Sequence, residues 1–221
     1  MPVIRGGATI TENWNCANAE TLTCQLTWTE FTGTTWELQG NTATVDRTSG
    51  TTASARADSD LETDDHYAQA SIVTFTVSGS GTIAVGVSCR KDSSATHTLY
   101  RFLCNRDTAN PDEDHLLEKV VGGAVTNLGS STTNFSANEV IRVEADGSSI
   151  TGRINGATNV GPITDTAIAG NLRCGIFCYL DAAGSSVQLD SFEAGDLVLL
   201  PTRNILKRTY RPAPFAPGLA R

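Results

Sequence analysis

The sequence predicts an all-β protein, a sandwich or a barrel, on three observations. Apolar and polar residues alternate with a period of two along stretch after stretch, turn residues separate these stretches, and no segment is a convincing amphipathic helix. Composition agrees. Thr supplies 30 of the 221 residues and Gly 20, against a single Met, a balance that favours β-branched strand chemistry over helix. With 39% hydrophobic residues the chain is globular and long enough to bury a real core.

The strands follow in order. In residues 73–77 the odd positions are apolar and the even ones Thr; Ser78-Gly79-Ser80-Gly81 then turns the chain into residues 83–89, where Ile83, Val85, Val87 and Cys89 share a face. Residues 99–104 return across a turn at 91–95. Residues 140–145 meet Asp146-Gly147, a hairpin signal, and come back through 150–154. Residues 172–180 and 187–200 supply the last strands, and residues 113–121 are the one stretch that could hold a helical turn.

Charge divides the chain in two. The whole carries a formal charge of -8, yet residues 201–221 hold five basic groups and no acid, which leaves -13 on residues 1–200. Four of the seven prolines (Pro201, Pro212, Pro214, Pro217) fall in that tail and favour extended backbone. The reading is a domain at 1–200 and a docking arm at 201–221, contacting its target through Arg203, Lys207, Arg208, Tyr210, Arg211, Phe215 and Leu219. An acidic body argues against nucleic acid as partner. No apolar run approaches the roughly 20 residues of a membrane span, and residues 1–7 lack a signal-peptide core, so export by the general secretory route is not expected.

Cysteine and metal chemistry stay open at this level. Cys16 and Cys24 bracket a loop and are the best disulfide pair, while Cys89 reads as a buried thiol and Cys174 and Cys178 lie too far apart along one strand face to join. Asp58, Asp60, Glu62, Asp64 and Asp65 place five carboxylates in eight residues, which suits Ca2+ as well as it suits a solvated acidic loop. A second patch, Asp107, Asp112, Glu113 and Asp114, reads the same way. His66, His97 and His115 follow no zinc spacing, and no nucleophile elbow, phosphate loop or dinucleotide fingerprint is present.

The segment from Ile10 to Leu22 (Ile-Thr-Glu-Asn-Trp-Asn-Cys), followed by Trp28-Thr29-Glu30 and Gly33-Thr34-Thr35-Trp36, resembles the opening of concanavalin-A-like (laminin-G-like) jelly-roll domains of bacteriophage and bacterial proteins. Asp65-His66-Tyr67-Ala68-Gln69-Ala70 resembles a strand start of that family. Asp165–Asn171, Cys174-Gly175-Ile176 and the stretch from Leu189 to Leu197 resemble its closing strands. The resemblance covers roughly residues 9–200 and implies a two-sheet antiparallel jelly-roll β-sandwich, with Trp14, Trp28 and Trp36 in its core. Glucanases of this superfamily carry an E-x-D-x-x-E strand. Glu62-Thr63-Asp64 and Glu144-Ala145-Asp146 begin that pattern and neither completes it, so the expectation is a protein that is not an enzyme. The tail resembles C-terminal arms of phage structural proteins. The resemblance implies a virion structural protein, a capsid decoration or fibre component at the virion surface, assembled in the host cytoplasm as a homo-oligomer. The alternative is a lectin-like module that binds surface glycans, with Tyr67, Tyr100 and Tyr179 as the rings that stack on sugar.

Overall fold

A computed structural model describes residues 7–31, 36–47, 51–78, 81–107, 114–133, 136–181 and 184–197. The arm at 201–221, with all seven docking residues assigned to it, lies outside this set, as do Asp112 and Glu113. Fifteen strands and no helix make up the described residues. They are β1 (Thr9–Glu12), β2 (Trp28–Phe31), β3 (Glu37–Gln39), β4 (Thr42–Arg47), β5 (Thr51–Ala57), β6 (His66–Thr76), β7 (Thr82–Lys91), β8 (Leu99–Asp107) and β9 (Asp114–Val121), then β10 (Ala124–Ser131), β11 (Val140–Asp146), β12 (Ser149–Ile154), β13 (Ala157–Thr164), β14 (Arg173–Leu180) and β15 (Ser185–Asp196).

All pairings are antiparallel, and the strands form two sheets. One runs β13-β12-β11-β6-β15-β4-β3, with β1 added against β15; the other runs β10-β9-β8-β7-β14-β5-β2. This is the expected jelly-roll sandwich. Its core follows from the period-two pattern. The seven-stranded sheet contributes Ile83, Val85, Val87 and Cys89 from β7, Tyr100, Phe102 and Cys104 from β8, and Cys174, Ile176, Cys178 and Leu180 from β14. Ala68, Ala70, Ile72, Val143, Val187 and Leu189 meet them from the other sheet. The expected tryptophans are all buried; the Trp14 and Trp28 ring centroids lie 6.1 Å apart, and 6.5 and 5.1 Å from that of Phe192.

Two expectations change. Residues 113–121 do not form a helical turn: Asp114–Val121 is strand β9, which buries His115, Leu117 and, on the opposite face, Val120. Its partner β10 has no alternation to read, and only the left-handed Gly122-Gly123 turn (φ 56° and 86°) explains the reversal. The turn after β7 runs over residues 92–98 rather than 91–95. Strand limits shift by a few residues, the last strand being Ser185–Asp196 where 187–200 was expected, with residues 198–200 outside the described set. Asp146 pairs with Ser149 around Gly147, as the hairpin signal requires, and Cys16 and Cys24 form the disulfide, with Cα atoms 6.0 Å apart. Cys89, Cys104, Cys174 and Cys178 are free and buried.

Candidate functional site

Alternation that sends Cys174, Ile176 and Cys178 into the core sends Arg173, Gly175, Phe177 and Tyr179 to the outer face of the seven-stranded sheet. Register then aligns Thr29, Arg56, Gly175, Ser88, Arg101 and Glu118 in one row across β2, β5, β14, β7, β8 and β9. Gly175 is needed for its place in that row. A Cβ there would come within 2.2 Å of the Ala55 carbonyl oxygen and 3.2 Å of Lys91 Cδ, so the lysine stem lies across the glycine.

Three cations thus sit side by side. Arg56 pairs with Asp58 at 2.8 Å and Arg101 with Glu118 at 2.7 Å. Between them the Lys91 Nζ donates to His97 Nδ1 at 2.9 Å and lies 4.7 Å from the centroid of Phe31. The Arg101 guanidinium covers one face of Phe177 at 4.2 Å. Burial, with the charges of Arg56 and Arg101, pushes the Lys91 pKa down to about 8. Burial and the Lys91 charge push His97 down to about 4, which leaves its ring neutral and able to accept. Beside this row opens a cleft lined by Asp60, Asp92, Asn171 and Arg173. Its polar groups are the kind that read hydroxyls.

The acidic segment at residues 58–65 is dispersed rather than gathered. Asp58 answers Arg56 and Thr29, and Asp60 answers Arg173. Asp64 accepts from the Gly170 N–H at 2.8 Å, and Asp65 accepts from Gly147 N–H at 2.7 Å and pairs with Arg90 at 3.3 Å. Buried Arg90 also donates to the carbonyls of Asp64, Gly147 and Ile168, at 2.7, 2.7 and 2.9 Å. The chain's own arginines and amides balance the charge of this segment. Among the described residues no three metal-ligating side chains converge, Glu62 included.

The three tyrosines part company. Tyr100 is fully buried, its hydroxyl donating to Asp165 at 2.5 Å, so the ring cannot stack on a sugar; Leu99 and Leu103 take the outer face instead. Tyr67 lies on the outer face of the eight-stranded sheet, where the Arg142 guanidinium covers its ring at 3.6 Å and its hydroxyl donates to Glu193. Tyr179 alone of the three is on the same face as the charged row, and it is partly exposed. The sequence alone did not single out Phe31, Arg56, Lys91, Arg101, Glu118 or Phe177, and it weighed His97 only as a metal ligand. For Phe177 the signal was available, since it alternates with the buried cysteines of β14.

The outward positions of the two middle strands, β7 and β14, hold no carboxylate. Glu118, on β9, is already engaged by Arg101.

Structures with the same arrangement decide the fold. The carbohydrate-binding module CBM66 from Bacillus subtilis superposes with a TM-score of 0.54 at 18% identity, over 76% of this chain and 96% of its own. The fold is that of the concanavalin-A-like lectins and glucanases. The potassium-bound carbohydrate recognition domain of Emp46p shares this concanavalin-A-like sandwich (TM-score 0.57, 12% identity, 78% of this chain and 89% of its own). So does the kappa-carrageenase of Pseudoalteromonas carrageenovora, solved with a carrageenan oligotetrasaccharide (TM-score 0.54, 13% identity, 89% of this chain and 98% of its own). No protein-family model and no curated protein sequence matches the chain. The concanavalin-A-like fold is therefore common to carbohydrate binders and to enzymes that cut carbohydrate, and function has to be argued from the side chains.

Proposed function

We propose that the protein is a non-catalytic glycan-binding module whose binding surface is the outer face of its seven-stranded sheet. The observation that carries this reading is the placement of partly exposed Phe177 and Tyr179 on the outward positions of β14, two and four residues along from Gly175, where the charged row crosses the strand. Arg101 occupies one face of Phe177, so Tyr179 is the ring that takes the apolar face of a sugar, while the cleft of Asp60, Asp92, Asn171 and Arg173 engages hydroxyls; the buried Arg56, Lys91 and Glu118 hold that face of the sheet in place beneath it. Glycoside hydrolysis by paired carboxylates needs two such groups roughly 5–9.5 Å apart across the scissile bond. The bare centre of β7 and β14 supports binding without cleavage. Glycan-array binding by the full chain, weakened about tenfold by Tyr179→Ala, is the expected result, a loss of about 1.4 kcal/mol. Turnover of any bound glycan that Glu118→Gln abolishes would overturn it.

A second reading concerns where the module acts. We propose that it is displayed at a virion surface as a capsid decoration or fibre component, with residues 201–221 docking it to a capsid protein. The charge contrast supports this, five basic groups and no acid beyond a body of -13. A chain ending at Leu200 should then fold and keep its glycan binding but lose attachment to particles. Attachment that survives the truncation would sink the idea.

A further inference from the structure

Among the described residues β10 closes one end of the seven-stranded sheet and pairs with β9 alone. The two-residue turn sets Ala124 opposite Val121 and Thr126 opposite Lys119. The N–H and C=O of Ala124 and Thr126 therefore turn toward β9, and those of Val125 and Asn127 turn away from it. Among the described residues, Val125 and Asn127 make no backbone hydrogen bond outside the sheet.

Free strand edges invite pairing, and proteins normally blunt them with short length, proline or charge. The other edges here are treated in that way. β1 and β2 have four residues each and β3 three, while β13 contains Pro162. β10 has eight residues with no proline, and it lies in a run, 120–138, without a single Asp, Glu, Lys or Arg. A longer uncharged run, 66–89, has an evident cause: it builds β6 and β7, each paired on both sides. Among the described residues no second strand pairs with β10 to give its uncharged run such a cause. Among the described residues the two large apolar side chains that stand exposed, Val121 at 45% and Val125 at 53%, also flank its turn.

We infer that the β10 edge is the pairing site for a second copy of this chain, two β10 strands running antiparallel about a two-fold axis at Thr126. In that register Val125 faces Asn127 of the partner subunit, and Asn127 faces the partner's Val125. Both free N–H groups and both free carbonyls of each edge are satisfied at once, giving four hydrogen bonds and a fourteen-stranded sheet across the pair. The self-complementary register and the absence of charge along this edge fit this occupant. Two chains of net charge -8 repel over most of their surfaces, and the uncharged run lets them meet without opposing carboxylates. Only a few residues of each copy touch, an interface at the small end of the range, so the pair is weak and its population follows concentration.

Sedimentation equilibrium of the full chain tests this. The weight-average mass should climb from one chain toward two between micromolar and near-millimolar concentration. Asn127→Pro removes an N–H that β9 does not use, and Val125→Glu places a carboxylate beside the axis. Each should hold the mass at one chain with an unchanged Tm, and either variant suffices if the other does not fold. A wild-type mass that stays at one chain, or association that persists in the folded variants, overturns the inference.

Discussion

The Nζ of Lys91 donates to the Nδ1 of His97 over 2.9 Å, an amine and an imidazole sharing one hydrogen bond beneath the ring of Phe31 and between two arginines. The contact works only while His97 is neutral. Its pKa, pushed down to about 4 from 6.5, means that the unfolded chain takes up this proton first as pH falls. The His97 contribution to stability is therefore present above pH 6.5 and is lost as the pH falls toward 4. Imidazole NMR titration should place His97 near 4, and Lys91→Met should raise that midpoint by removing the adjacent charge. A His97 midpoint unmoved by Lys91→Met would show that the pair is not coupled.

Lys91 itself acts at the alkaline end. Its pKa near 8 lies below the ordinary 10.5, so between these values the unfolded chain holds a proton that the folded chain has released. Its contribution makes stability rise with pH through that window, the reverse of the usual alkaline loss. Urea midpoints at pH 8 and 10 should show this slope in the wild type, and Lys91→Met should flatten it.

Gly175→Ala should destabilise the fold by about 3 kcal/mol, because the new Cβ meets backbone, the Ala55 carbonyl at 2.2 Å, which cannot rotate away. Equilibrium urea unfolding gives the value directly. A loss under 0.5 kcal/mol would mean that β5 shifts freely away from β14.

Arg90→Met should cost about 3–5 kcal/mol, since a buried guanidinium that holds three carbonyls from three loops disappears with its partners left behind. Amide exchange at Gly147 and Gly170, both held by the carboxylates of the same segment, should rise more than exchange in β7.

Native protein should expose no thiol to a bulky reagent, and denatured protein four, since the remaining two cysteines are joined. Replacing Cys16 and Cys24 by Ser should lower stability by about 2–3 kcal/mol for so short a loop.

The central strands were legible because their surroundings are uniform. β7 and β14 keep one face in the core along their whole length, so Ile83, Val85 and Val87 and then Cys174, Ile176 and Cys178 print the period directly. β10 and β13 are edges with mixed surroundings, where no face is consistently buried and the pattern dissolves. The site divides along the same line. Tyr179 could be named, though its face could not. Tyr100 was placed among the sugar-binding candidates because Tyr100 and Phe102 compete with Leu99 and Leu103 for the interior, and a strand with large apolar groups on both faces gives no local hint of which wins. Arg56, Lys91 and Arg101 are 35 and 10 residues apart in sequence and become neighbours only through strand register. The acidic run at 58–65 drew notice because its residues are adjacent in sequence, yet Asp58, Asp60, Asp64 and Asp65 each turn to a different partner.

β1 lies against β15, and the ends of the sandwich are tied to each other: Ala8 N–H donates to the Asp196 carboxylate at 2.7 Å, and Asp196 N–H to the Ala8 carbonyl at 2.9 Å. The sandwich is in this sense a closed circuit of chain with entry and exit at one spot. Such a unit can be spliced into a loop of a host protein without prising that loop apart, or cut at a distant turn and rejoined across Ala8 and Asp196 with its sheets intact.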